Sequence, residues 1–108
     1  MRAYEVMIIV DPEADDAGVK QVLARTAELI APEGKVATVD SWGRRRFTHP
    51  LSRKHEGIYL IVEIVTTAHN LDTFDRAMRL ADDVIRHKII RLPEREAAKR
   101  GLTDAAAG

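Results

Sequence analysis

Residues 57–65 read Gly57-Ile58-Tyr59-Leu60-Ile61-Val62-Glu63-Ile64-Val65, apolar at nearly every position and rich in β-branched side chains. A run of this length and composition is a strand covered on one face and largely hidden on the other. A second such run, Tyr4-Glu5-Val6-Met7-Ile8-Ile9-Val10, lies inside a strand over 3–10 that Asp11-Pro12 stops. Two central strands are thereby set, and the other elements arrange themselves around them.

Asp15 and Asp16 stand where a helix N-cap belongs, accepting free amides at the positive end of the dipole. Val19, Leu23, Thr26, Ala27 and Ile30 recur at three- and four-residue spacing, which predicts an amphipathic helix over 16–31, ended by Pro32-Glu33-Gly34. Lys35 to Trp42 is polar and β-branched, as an edge strand is. Gly43 permits a bulge, and the extended character resumes through Arg46-Phe47-Thr48 before a polar, basic connection from Pro50 to Glu56. Asn70 is the expected N-cap of a second helix with a stripe of Leu71, Phe74, Met78 and Ala81, and Val84 to Leu92 alternates apolar with basic residues as a further edge strand.

The order β-α-β-β-α-β is the ferredoxin-like split arrangement, an α+β fold. Apolar strands one and three take the centre, charged strands two and four blunt the edges, and right-handed crossovers give a four-stranded antiparallel sheet of order 4-1-3-2. Both helices cover one face. The pleat directs Val6, Ile8, Val10, Leu60, Val62 and Ile64 toward them. The open face then shows Ala3, Glu5, Met7 and Ile9 beside Tyr59, Ile61 and Glu63, apolar enough to call for a protein partner at Met7, Ile9, Tyr59 and Ile61. From Pro93 there is no core pattern. The chain divides into a domain over 1–92 and a tail over 93–108, expected to be flexible.

With 108 residues the chain suits one domain, and 17 basic against 17 acidic side chains leave no net charge. The absence of cysteine excludes disulfides, thiolate nucleophiles and Cys-based metal sites. No apolar run approaches the ~20 residues of a membrane helix, and the opening Met1-Arg2-Ala3-Tyr4-Glu5 lacks a signal-peptide layout, so a cytoplasmic location is expected. Histidines 49, 55, 69 and 87 lack ligand spacing, Asp82-Asp83 reads as a turn, and no phosphate loop or nucleophile elbow is present. The loop after strand one is acidic and would repel the anion an acylphosphatase binds. Catalysis, a cofactor and a small-molecule substrate are not expected.

The charge is uneven. Arg44 to Lys54 carries five positive side chains and no acid. Trp42-Gly43-Arg44-Arg45-Arg46, followed by Phe47 and Lys54, interleaves guanidinium forks with stacking surfaces, the composition of a site for irregular RNA; the bland alternative is a solvated edge hairpin. In an extended segment Arg44 and Arg46 share one face with Trp42, and Arg45 takes the other. Arg2 on strand one, with Arg86, His87, Lys88 and Arg91 on strand four, would extend the basic surface. An RNA-recognition-motif reading finds one aromatic, Tyr59, on the required face. A dimerising or small-molecule-sensing module of the same topology is the rival from another class.

Met1-Arg2-Ala3-Tyr4-Glu5, Asp11-Pro12, Trp42-Gly43-Arg44-Arg45-Arg46-Phe47 with Pro50-Leu51, Glu56-Gly57-Ile58-Tyr59, Asp75-Arg76 and Asp82-Asp83-Val84-Ile85-Arg86-His87 together resemble the bacterial small-subunit ribosomal protein six family. The resemblance covers about residues 1–92. It implies a structural component of the small ribosomal subunit, ribosome-associated, that binds the central domain of small-subunit rRNA together with ribosomal protein eighteen, with no enzymatic activity and no cofactor. On that basis Arg44, Arg45, Arg46 and Lys54 would neutralise phosphates, Trp42 would stack or brace the hairpin, and Arg2, Arg86 and Arg91 would add contacts. Phe47-Thr48-His49-Pro50-Leu51 departs from the family's usual Leu-Ala-Tyr-Pro-Ile, and the tail matches no motif.

Overall fold

β1 (Arg2–Val10) and β3 (Lys54–Thr66) lie side by side in the centre of an antiparallel sheet, flanked by β2 (Gly34–Leu51) and β4 (Val84–Leu92). The order β2-β3-β1-β4 is the expected 4-1-3-2 read from the other edge. α1 (Asp16–Ile30), α2 (Asp72–Leu80) and a short α3 (Glu94–Lys99) complete the protein, a computed structural model describing residues 1–51 and 53–102.

Hydrophobic burial explains the arrangement. Tyr4, Val6, Ile8 and Val10 of β1 and Leu60, Val62 and Ile64 of β3 meet Val22 and Ile30 of α1 and Leu71, Phe74 and Met78 beside and within α2, in one core. This is the predicted register. Within α1 the buried row is Val22, Thr26 and Ile30, while Ala27 is exposed, because one residue further turns a side chain about 100° around the helix. Asp15 is the N-cap, accepting the Gly18 amide at 2.8 Å. The N-cap of α2 is Leu71 rather than Asn70; Asn70 Oδ1 accepts the Asp72 amide at 3.0 Å, and Ala81 caps the other end.

Two regions depart from expectation. The segment 50–56 is not a connection: β2 runs to Leu51, β3 starts at Lys54, and Leu51 pairs with Lys54 across the tip. The hairpin outruns the remaining sheet, and the molecule measures 41 × 24 × 22 Å. A polar ribbon beyond the core needs no hydrophobic pattern, so none marked it. The second departure is at the C-terminal end. Ala97 and Leu102 are buried with Ala3, Val65 and Leu92 in a separate cluster, so residues 94–102 cover one end of the face opposite α1 and α2. Two apolar residues among charged ones make no periodic signal; the remainder of the expected tail, 103–108, lies outside the described residues.

Candidate nucleic-acid interface

Directly paired residues share a face of a sheet. The pairings therefore lay out the face opposite α1 and α2 as four rows running from β2 to β4: Gly43, Tyr59, Ile9, Arg86; Asp40, Ile61, Met7, Lys88; Thr38, Glu63, Glu5, Ile90; and Lys35, Val65, Ala3, Leu92. Arg86, Lys88 and Ile90 are exposed, Met7, Tyr59 and Ile61 are half-buried, and Ile9 is buried. Ile9 lies under the hairpin base: a Cβ built on Gly57 would come 2.5 Å from Ile9 Cγ2 and 3.0 Å from Phe47 Cζ. Phe47 and Tyr59 meet in a tilted contact, 6.1 Å between ring centroids and 55° between planes, and the missing glycine side chain leaves room for the Phe47 ring at the hairpin base.

The hairpin carries two bulges. Ala37 is an extra residue between the Val36–Ile64 and Thr38–Glu63 pairs, and Trp42 is extra between Ser41–Leu60 and Gly43–Tyr59. Gly43, at φ 76°, adopts the left-handed backbone that the second bulge needs. Downstream, Arg44 pairs with Ile58 and Arg46 with Glu56 on the side of the helices, while Arg45 pairs with Gly57 on the open side. That alternation is the expected one. Trp42 departs from it: the bulge puts its ring with Arg45, whose guanidinium carbon is 5.2 Å from the ring centroid, and its Nε1 donates to Asp40 at 3.0 Å. The indole is 47% exposed, which leaves a stacking surface in solvent.

The remaining cations differ in how they are held. Arg44 bonds Glu56 at 3.2 Å and Lys54 lies 3.4 Å from Asp11, the latter tying the hairpin to the loop after β1. Both pairs are solvent-accessible, and exposed pairs of this kind contribute only about 0–1 kcal/mol. Arg46 makes no hydrogen bond or ion pair among the described residues and is exposed. Arg2 does not join this group. It pairs with Thr66 at the far end of β1, eight residues or roughly 27 Å from the level of Arg44, and its Nη1 donates to Ala68 O at 3.1 Å. Arg91, opposite Tyr4, is at that end too, on the helix side.

The basic set on β4 is likewise divided by the pleat. Arg86 and Lys88 face the open side; His87 turns inward, with Nε2 2.7 Å from Asp75 Oδ1 and its ring edge-on to Phe74. His87, first among the Asp75 contacts, and Arg79 hold the Asp75 carboxyl below the usual carboxylate range against the opposing effect of burial. This is a structural tie between α2 and β4. Asp83 similarly serves packing, accepting Arg25 of α1 at 2.7 Å, and no three His, Asp or Glu side chains among the described residues are grouped to hold a metal. The residue that the sequence did not single out is Arg100. Its Nη1 reaches Glu5 at 3.0 Å and Glu63 at 3.1 Å across the open face, and its only local cue is Glu96 four residues earlier.

Comparison with known proteins accounts for this combination of sheet and arginine-bearing hairpin. The profile of the family described as Ribosomal protein S6 matches residues 3–91. A small ribosomal subunit protein bS6 from Corynebacterium aurimucosum is 44% identical over 92 residues, covering 84% of this chain and 96% of that one. The bS6 of Carboxydothermus hydrogenoformans is 37% identical over the same share of each. The crystal structure of 30S ribosomal protein S6 from Thermotoga maritima superposes with a TM-score of 0.80 at 25% identity, covering 92% of this chain and 94% of the other. A profile that spans both central strands and the hairpin, with relatives matched over nearly their whole length, shows that the chain belongs to the ribosomal protein S6 family of the small ribosomal subunit.

Proposed function

We propose that the protein binds the central domain of small-subunit rRNA through the β2–β3 hairpin, together with ribosomal protein eighteen docked on the open sheet face. As a small-subunit ribosomal protein it is ribosome-associated in the cytoplasm. The observation that carries the RNA reading is the exposed Trp42 with Arg45 on its ring, on a hairpin that extends past the core and carries on its other side Arg46, which makes no ion pair among the described residues. Guanidinium groups supply phosphate contacts, and an indole with a free face supplies a stack for an unpaired base. Arg44 and Lys54 add charge by exchanging Glu56 and Asp11 for phosphate. Arg86 joins from the β4 edge, about three strand spacings or ~14 Å away. Arg2 and Arg91, at the opposite end, would reach a separate part of the rRNA.

The partner reading is supported by Met7, Tyr59 and Ile61, apolar side chains left half-exposed on the open face; Ile9 contributes beneath them as support. The test is a titration of a central-domain rRNA fragment with the protein alone and with ribosomal protein eighteen. Coupled binding should raise the affinity by the 1–3 kcal/mol typical of linked sites. Tight binding by the protein alone, unchanged when ribosomal protein eighteen is added, would overturn the cooperative reading.

A further inference from the structure

We infer that the open sheet face is a docking surface for an apolar protein segment carrying a basic side chain, and that α3 with Arg100 is the intramolecular occupant that such a segment displaces. The inference rests on the proposed docking of a protein partner on this face. It begins from Glu5 and Glu63, which stand directly opposite one another on β1 and β3. Like charges in that position repel and disfavour the pairing unless a cation lies between them. Within that row the flanking residues are not cations: it ends in Thr38, whose hydroxyl bonds Glu63 at 2.6 Å, and in Ile90. Arg100 comes from outside the sheet and bonds both carboxylates.

α3 therefore displays what the face accepts. Ala97 and Leu102 fill the apolar row of Val65, Ala3 and Leu92, and a guanidinium spans the two carboxylates in the next row. Directly beyond that row come Ile61 and Met7, half-exposed, with Tyr59 after them. The uncovered surface thus continues the covered one with the same apolar character, and the carboxylate pair lies at the boundary. A partner segment laid over Met7 and Ile61 brings its own basic group to Glu5 and Glu63. The α3 hold is slight: the helix has six residues, fewer than the ~12–15 an isolated helix needs, so it depends on docking to stay helical.

A surface occupied by a segment of its own chain binds a partner with an affinity reduced in proportion to the fraction of time the surface is free. Calorimetric titration with intact ribosomal protein eighteen as the probe tests this on the full chain, using wild type, Arg100→Ala and the Glu5→Gln/Glu63→Gln pair. Arg100→Ala should bind up to about tenfold more tightly, because the competing occupant is weakened while the carboxylates remain. The double Gln variant also releases Arg100 but should bind more weakly than wild type, having lost the acceptors. Amide exchange on wild type gives a reading that needs no variant: the α3 amides should lose protection when the probe binds. Binding by wild type with no gain in Arg100→Ala, or α3 amides that become more protected, would overturn the displacement and leave the docking site standing. Absence of binding to every variant would overturn the docking site as well.

Discussion

Trp42 and Arg45 are stacked, 5.2 Å from guanidinium carbon to indole centroid, although a gap of three residues in a regular strand would put them on opposite faces. The extra residue at Trp42 and the left-handed Gly43 reverse the alternation between them. Exposed cation–π contacts are worth about 0.5–1 kcal/mol, and here the contact fixes where Arg45 presents its charge. A double-mutant cycle in rRNA affinity should therefore show Trp42→Ala and Arg45→Ala to be coupled by roughly that amount, while Arg46→Ala adds independently to either. Full additivity of the Trp42 and Arg45 losses would mean the stack does not organise the RNA contact.

The salt dependence of the same affinities separates charge from stacking. Arg46→Ala should flatten the slope by about 0.7–0.9 of a unit, because one fewer counterion is released. Trp42→Phe should leave the slope near that of wild type and reduce affinity only modestly, since the ring still stacks but offers less surface. If neither Arg45→Ala nor Arg46→Ala changes the slope, the hairpin is a solvated edge and the RNA site is elsewhere.

Val62 is fully buried between the sheet and the helices, whereas Ile61, its neighbour, is half-exposed on the other face. Val62→Ala should cost about 1–3 kcal/mol through lost burial and the cavity left behind. Ile61→Thr should cost clearly less in the isolated protein. Urea unfolding midpoints measure both.

Gly57 has no room for a methyl group between Ile9 and Phe47. Gly57→Ala should cost about 1–3 kcal/mol, the range for overpacking a filled site, and should shift the Phe47 ring resonances as the aromatic is pushed off the sheet. A neutral substitution with an unmoved ring would show that the hairpin base is loosely packed.

The Asp75 carboxyl is held below its ordinary range chiefly by its hydrogen bond with His87, so its ionised form contributes stability that is fully present above the unfolded carboxylate value of about 3.9. That contribution is lost as pH falls through the lower folded value. Asp75→Asn should therefore be less stable than wild type near pH 6, with the gap narrowing below about pH 4. Parallel stability curves across that range would mean that the tie between α2 and β4 has no ionic component.

The sequence by itself determined the element order as far as β4, the central position of β1 and β3, and the residues of those strands that face α1 and α2. Those features follow from periods of 2 and 3.6 residues, which act locally and are legible wherever one face is buried. The composition of Trp42 to Lys54 also marked the hairpin as the basic site. Tertiary structure decided what local period does not carry. One inserted residue moved Trp42 to the face of Arg45, since bulges depend on how two strands pair and not on either alone. The pleat and the length of β1 separated Arg2, Arg91 and His87 from the hairpin cations. Ala97, Leu102 and Arg100 acquired their roles only from partners far away in the chain, Ala3, Val65, Glu5 and Glu63, so nothing in residues 94–102 taken alone distinguishes a docked helix from a solvated one.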